Sequence, residues 1–391
     1  MLAERLARIA PFHVMELAKM AAALEKEGRS IIHLGIGEPD FTAPPCVIDA
    51  ATQAMREGRL QYTSALGMPA LREAIAAHYQ SAYGINISSN RIVVTAGASA
   101  ALLLACAALV EVNAEVLMPD PCYPCNRHFV AAFDGLPKQI PTGPAERFQL
   151  SAALVEAHWR SSTKGVLLAS PSNPTGTSIL PSELAAIIAK VKQKGGFTIV
   201  DEIYQGLSYD QAPFCALSLD SGIVVVNSFS KYFHMTGWRL GWLVVPEAWL
   251  PQFEKLAQNL FICPSTVAQH AALACFSSEA AQTYVERKAE MKRRRDYLIP
   301  ALLQLGFEVP VVPDGAFYVY ADCSRFSDDA DQFTRHLLNQ AGVVIVPGLD
   351  FGEVGARRYV RISYATSIEN LKEAVRRIGE FLASSLARNA D

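Results

Sequence analysis

Short apolar runs recur through the middle of the chain, each followed by a stretch with helical periodicity. Arg91-Ile92-Val93-Val94-Thr95 predicts a strand, and Ala98 to Val110 a helix behind it. Glu115-Val116-Leu117-Met118, Gly165-Val166-Leu167-Leu168, Phe197-Thr198-Ile199-Val200 and Ile223-Val224-Val225-Val226 predict further strands. These runs are mostly apolar rather than alternating, which suits strands buried on both faces. Helical stretches such as Ser182 to Lys194 lie between several of them. Strands alternating with helices imply an α/β fold, with a mostly parallel sheet flanked by helices.

Past about Thr266 the pattern changes. A long helical stretch reaches roughly Leu303, and Phe307 to Val312 and Ala316 to Tyr320 look like strands. A helix near Asp331 to Ala341, strands at Val343–Val346 and Tyr359–Ile362, and a final helix from Ile368 complete the reading. The expected organisation is an N-terminal segment 1–45 packing on a small α+β domain 291–391, with a large domain 46–290 between. No internal repeat or low-complexity linker interrupts it.

Composition supports a folded enzyme-sized protein: 391 residues, 51% hydrophobic and 19% charged. The formal net charge of −3 offers no field for nucleic acid or an anionic membrane. The basic run Lys292-Arg293-Arg294-Arg295 reads as a solvated helix face. The longest apolar run, Ala100 to Val110, is too short to span a bilayer. The first residues lack a signal-peptide core, so a soluble, cytoplasmic protein is expected. Eight cysteines in this length do not form a disulfide framework, and Cys122-Tyr123-Pro124-Cys125 has no second pair for zinc, so both thiols are expected to be ordinary.

Ligands of an open parallel sheet bind at the carboxyl ends of its strands. Polar residues cluster there. One strand runs into Asp201-Glu202-Ile203-Tyr204, another into Asn227-Ser228-Phe229-Ser230-Lys231, a third into Ser172-Asn173-Pro174-Thr175-Gly176, and the first into Gly97-Ala98-Ser99. An acid, a lysine, an amide and a Gly/Ser turn are thereby offered to one crevice.

Ser228-Phe229-Ser230-Lys231 through Thr236-Gly237-Trp238-Arg239-Leu240-Gly241 resembles the lysine signature of class I pyridoxal-phosphate (PLP) dependent aminotransferases. The segments around Asn173, Asp201 and Arg361-Ile362-Ser363-Tyr364-Ala365 are similar to other hallmarks of that family. So are Gly35-Ile36-Gly37-Glu38-Pro39-Asp40 and Pro347-Gly348. They occur in the family's order over nearly the whole chain, and the chain resembles the bacterial aspartate/aromatic-type subgroup.

The resemblance implies PLP transferase fold type I, with the cofactor held as a Schiff base on Lys231 and Lys231 also moving the substrate proton. It implies Asp201 on the pyridine nitrogen, and Asn173 and Tyr204 on the ring oxygen. Tyr123 matches the aromatic that stacks on the ring, although a core aromatic is an alternative. Gly97, Ala98, Ser99, Ser228, Ser230 and Arg239 match the phosphate site, where a helix start and a guanidinium suit an anion. Arg361 matches the clamp for the substrate α-carboxylate, aided by Gly37 and Asn173. Tyr62 matches a tyrosine lent to the neighbouring subunit's phosphate, which implies a homodimer. His234 departs from the pattern, since the family has a small residue three positions after its lysine, and altered packing near the cofactor is expected.

The resemblance thus implies transfer of an amino group from an L-amino acid to a 2-oxo acid, with 2-oxoglutarate or pyruvate as acceptor, by a ping-pong cycle. The rival of the same fold is a PLP-dependent C–S or β-lyase, because fold type does not fix reaction type. A serine hydrolase is excluded because Gly97-Ala98-Ser99-Ala100-Ala101 lacks the last glycine of a nucleophile elbow. A dinucleotide fingerprint is broken after Gly35-Ile36-Gly37. The stretch before Gly35 is too short for an added DNA-binding module. Which amino acid is the donor is open from sequence alone.

Overall fold

The computed structural model describes residues 3–9 and 12–388, with side chains as far as Ser384. Its largest sheet has seven strands: β2 (Ile92–Thr95), β3 (Glu115–Asp120), β4 (Leu136–Pro141), β5 (Thr163–Ala169), β6 (Phe197–Asp201), β7 (Val224–Ser228) and β8 (Gly241–Val244). Their order is β2-β8-β7-β6-β5-β3-β4. Every pairing is parallel except those of β8, which runs antiparallel to β2 and β7. The five central strands from β8 to β3 contribute almost wholly buried side chains. Two apolar clusters therefore form, one on each face of the sheet: Val166, Leu168, Val200 and Val225 point to one, Leu167, Ile199, Val224 and Val226 to the other. This is the alternation of a pleated strand covered on both sides.

Beyond the large sheet, β9 (Tyr318–Asp322), β11 (Val346–Pro347) and β12 (Tyr359–Ser363) form a three-stranded antiparallel sheet. β1 (Ile32–His33) pairs with β10 (Val343–Val344), which ties the N-terminal segment to the C-terminal part of the chain. The helix His13–Lys26 completes that tie by burying Leu17 and Ala21 against Leu338 and Val344.

Several expectations are corrected. Phe307 to Val312 forms no strand; only an isolated bridge joins Glu308 to Asp322, and the helix before it ends at Gly306 in the left-handed region (φ 97°). The long helical stretch is two helices, Thr266–Ala274 and Ser278–Leu305, because Ser277 caps the second by accepting from Ala280 N. Val343 to Val346 divides between two sheets. β4 and β8 carried no clear signal, since β4 contains Pro137 and Pro141 and buries only Ile140, and β8 opens on Gly241.

The basic run is only partly a solvated face. Arg294 and Arg295 are buried, paired with Asp40 and Glu290 and with Asp210 and Asp296 respectively. A buried guanidinium persists only with such partners. No described helix is long and apolar enough to cross a membrane, and no described cluster of side chains could hold a metal ion.

Candidate active site

A cavity of about 600 Å³ opens at the carboxyl edge of the large sheet and extends to β9, β12 and the N-terminal helix. Asp201 is the last residue of β6, in register with Ala169 on β5 and Val226 on β7. Its Cα thus sits mid-sheet at the crevice. Its Oδ1 accepts from Ile203 N at 3.0 Å. Burial pushes its pKa up to about 6, opposed by that N–H and by the charge of Lys231. The carboxyl is still ionised at neutral pH.

Lys231 follows β7 through a turn in which Ser230 N donates to Ser228 Oγ at 3.0 Å. The ammonium donates to Gly37 O at 2.5 Å and lies 5.9 Å from the Tyr204 ring centroid. Burial lowers its pKa to about 8, with Glu38 opposing the shift. A lysine of that kind has a larger share of free amine near neutral pH than an exposed lysine.

Arg361, on β12, crosses from the small sheet into the same cavity. Its Nη1 donates to Asn173 Oδ1 at 2.9 Å and its Nη2 to Gly35 O at 2.6 Å. The guanidinium stacks on Tyr318, 4.5 Å from the ring centroid, and on Phe351 at 4.8 Å. Its Nε is buried without a hydrogen-bond partner, so one donor stands ready for an anion. Tyr204 meets Tyr318 through their hydroxyls at 2.9 Å.

At the opposite end, helix Gly97–Leu109 starts without a side-chain cap, which leaves its first-turn N–H groups without a side-chain acceptor, and the first-turn residues Ala98 and Ser99 line the cavity. Gly97 has φ +81°, and a Cβ there would lie 2.6 Å from Arg239 Nη2. The guanidinium therefore packs into a space that only glycine leaves. Ser228 Oγ hydrogen-bonds Ser230 Oγ at 2.9 Å and orients it.

Of the residues singled out in the sequence, Gly37, Ala98, Ser99, Tyr123, Asn173, Asp201, Tyr204, Ser230, Lys231, Arg239 and Arg361 line this one cavity. Gly97 and Ser228 stand just behind it. Tyr62 does not line it; its side chain is 81% exposed. His234 is outside it too, wedged against Phe41 and Tyr284 with neither ring nitrogen hydrogen-bonded, and burial lowers its pKa to about 3. Cys122 is buried, which pushes its thiol up to about 12, and both members of the CxxC pair are free cysteines. Tyr318, Asp350, Phe351 and the helix residues Phe12, Val14 and Met15 also line the cavity and were not singled out, because no motif marks them.

The donor set fits a phosphorylated pyridine aldehyde. The uncapped helix start with Arg239 and Ser230 suits a phosphate, Asp201 a protonated ring nitrogen, Lys231 an aldehyde, and the unpaired Nε of Arg361 a carboxylate.

The family description "Aminotransferase class I and II" matches residues 29–378. The chain is 41% identical to the valine–pyruvate aminotransferase of Mycobacterium tuberculosis, covering 97% of this chain and 98% of that protein. It is 35% identical to an aspartate aminotransferase of Thermotoga maritima, covering 98% and 100%. Among solved structures, an aminotransferase from Mycobacterium tuberculosis superposes with a TM-score of 0.95 at 41% identity, covering 98% and 99%. The aspartate aminotransferase of Thermus thermophilus with maleate gives 0.92 at 32% identity, covering 97% and 99%. By sequence, fold and site, the chain belongs to the class I and II aminotransferases and is a transaminase, of a family whose cofactor is PLP.

Proposed function

We propose that this transaminase uses PLP on Lys231 to move the amino group of an L-amino acid to a 2-oxo acid, 2-oxoglutarate or pyruvate, in two half-reactions. The observation that carries the reading is the convergence of Lys231, Asp201 and the Arg361–Asn173 pair on one cavity, from β7, β6, β12 and the β5 end. PLP, when bound, supplies an electron sink for the donor Cα–H bond and a carrier for the amino group.

The chain's own residues do the rest. Arg361 holds the α-carboxylate through its unpaired edge, which fixes the donor's orientation. Lys231, whose burial favours the free amine, would take the proton from the donor Cα and hold it for return. Asp201, ionised at neutral pH, keeps a proton on the ring nitrogen so that negative charge developing at Cα is drawn off. Asn173 and Tyr204 donate to the ring oxygen, and Tyr123 covers the ring face. Gly97 to Ser99, Ser228, Ser230 and Arg239 hold the phosphate, and Gly37 offers its backbone to the carboxylate.

The exposed Tyr62 fits a residue serving the site of a neighbouring subunit, so the working unit in this reading is a homodimer, and its compartment the cytoplasm. The large unit spans 46–290, with 1–45 and 291–391 forming the small one, a division supported by the β1–β10 pairing. Replacing Lys231 by alanine tests the whole assignment. Folding and non-covalent PLP binding are expected to persist while turnover is lost; a variant with normal turnover overturns it. Release of ammonia and a 2-oxo acid without any acceptor selects the lyase instead.

A further inference from the structure

The N-terminal helix His13–Lys26 is capped from outside itself. Its cap residue is Phe12, which has no side-chain acceptor, so the first-turn N–H groups lack a local partner. Asp350 supplies one: its Oδ1 accepts from His13 N at 2.6 Å and its Oδ2 from Val14 N at 2.8 Å. Asp350 is only 2% exposed, and its carbonyl oxygen accepts in turn from Arg127 Nη2 at 3.1 Å. Both carboxylate oxygens are thereby committed to a partner more than 330 residues away in sequence.

The next residue, Phe351, lies against the Arg361 guanidinium and packs in one cluster with Val14. One short turn thus links the carboxylate clamp to the start of the helix. From the cap and first turn of that helix Phe12, Val14 and Met15 line the cavity, joined by Ile36. Among the described residues of this chain, three cations line the cavity, Lys231, Arg239 and Arg361, and the proposed reaction uses each of them. Besides Asp201, the acids there are Glu38, which accepts from Thr236, and Asp350, which is committed to the helix start, so both already have partners, and a charged donor side chain of either sign would lose its water without a dedicated counter-ion.

We propose that the helix start pinned by Asp350 forms an apolar side-chain subsite, which selects L-amino acids with uncharged, apolar side chains. Asp350 is a positioning residue here. It touches neither substrate nor cofactor and acts by holding Val14 and Met15 in place. The proposal rests on the transaminase reading above.

The test uses the PLP-loaded enzyme and a panel of L-leucine, L-alanine, L-aspartate and L-lysine with a fixed 2-oxo acid. Leucine is expected to exceed aspartate and lysine by about 100-fold or more in kcat/KM, the discrimination expected when a charged group must be desolvated. In Asp350→Ala the preference for leucine over alanine falls about tenfold, mainly through the KM for leucine. Asp350→Asn, which keeps one acceptor, falls between. Val14→Ala and Met15→Ala reduce the same preference without touching the cap, and they decide the matter if Asp350→Ala does not fold.

Aspartate or lysine matching leucine overturns the subsite while leaving transamination intact. An Asp350→Ala enzyme that loses kcat equally for leucine and alanine overturns the positioning role. Failure of all four donors sinks the transaminase reading itself, and this proposal with it.

Discussion

Arg361 Nη1 and Asn173 Oδ1 are joined at 2.9 Å, so the residue suited to the substrate carboxylate is held by a residue suited to the cofactor ring. One comes from β12 of the small sheet and the other from the turn after β5 of the large one. The contact makes the two parts of the site geometrically dependent.

That dependence predicts a shared loss. Arg361→Lys keeps the charge but cannot serve Asn173, Gly35 and a carboxylate from one planar fork. Its kcat/KM for any donor is expected to fall about 100-fold or more, or roughly 3 kcal/mol of transition-state binding. Steady-state kinetics with the best donor checks this; a loss under threefold is incompatible with the clamp.

Lys231 gives a pH prediction. Its pKa is lowered to about 8 by burial, so its reactive free amine rises with pH, is half formed near pH 8 and levels off roughly two units above that. The rate at which apoprotein captures added PLP covalently should follow that curve. Stopped-flow absorbance across pH 6 to 10 measures it, and a midpoint near the ordinary lysine value of about 10.4 contradicts the buried setting.

Gly97 tests the phosphate site. A methyl group there would press on Arg239 and would also meet an unfavourable backbone at φ +81°. Gly97→Ala is expected to weaken PLP retention about tenfold or more while the fold persists. Equilibrium dialysis against PLP reads the change, and unaltered affinity rules out the arrangement.

His234 carries a stability prediction. Its pKa is lowered to about 3, so between pH 6.5 and about 3 the unfolded chain binds a proton that the folded chain refuses. Stability is lost as pH falls through that window, by up to about 1.4 kcal/mol per pH unit. His78, lowered to about 4, acts in the same direction. Asp201 and Glu202, raised by burial to about 6 and about 7, act in the opposite one, because there the folded chain holds the extra proton. Comparing wild type with His234→Phe isolates one group. From pH 7 to pH 5 the variant should gain about 1–2 kcal/mol relative to wild type in urea unfolding. A difference that does not change with pH contradicts the assignment.

The ordered motifs made the chemical half of the site legible. Asp201, Asn173 and Lys231 sit at strand ends whose apolar runs are plain in the sequence, and Arg361 lies in a strand as expected. Tyr318 was invisible because its role comes from a hydroxyl contact with Tyr204, 114 residues away. Asp350 was missed for a related reason: a cap supplied across the fold leaves no local pattern at either end. The basic run was misread because burial of Arg294 depends on Asp40, and no local spacing announces that pair. β8 went unseen because it opens on Gly241 directly after the Arg239 turn, inside the segment read as the lysine signature.

The measurement that most directly tests the central claim is the absorption spectrum of the PLP-reconstituted protein before and after adding a single L-amino acid without any acceptor. The account predicts the yellow absorption of lysine-bound PLP, bleached in proportion to donor added and restored by a 2-oxo acid. It also predicts that Lys231→Ala never shows that starting band. A wild-type protein that takes up no PLP, or a bleaching that a 2-oxo acid cannot reverse, would contradict it.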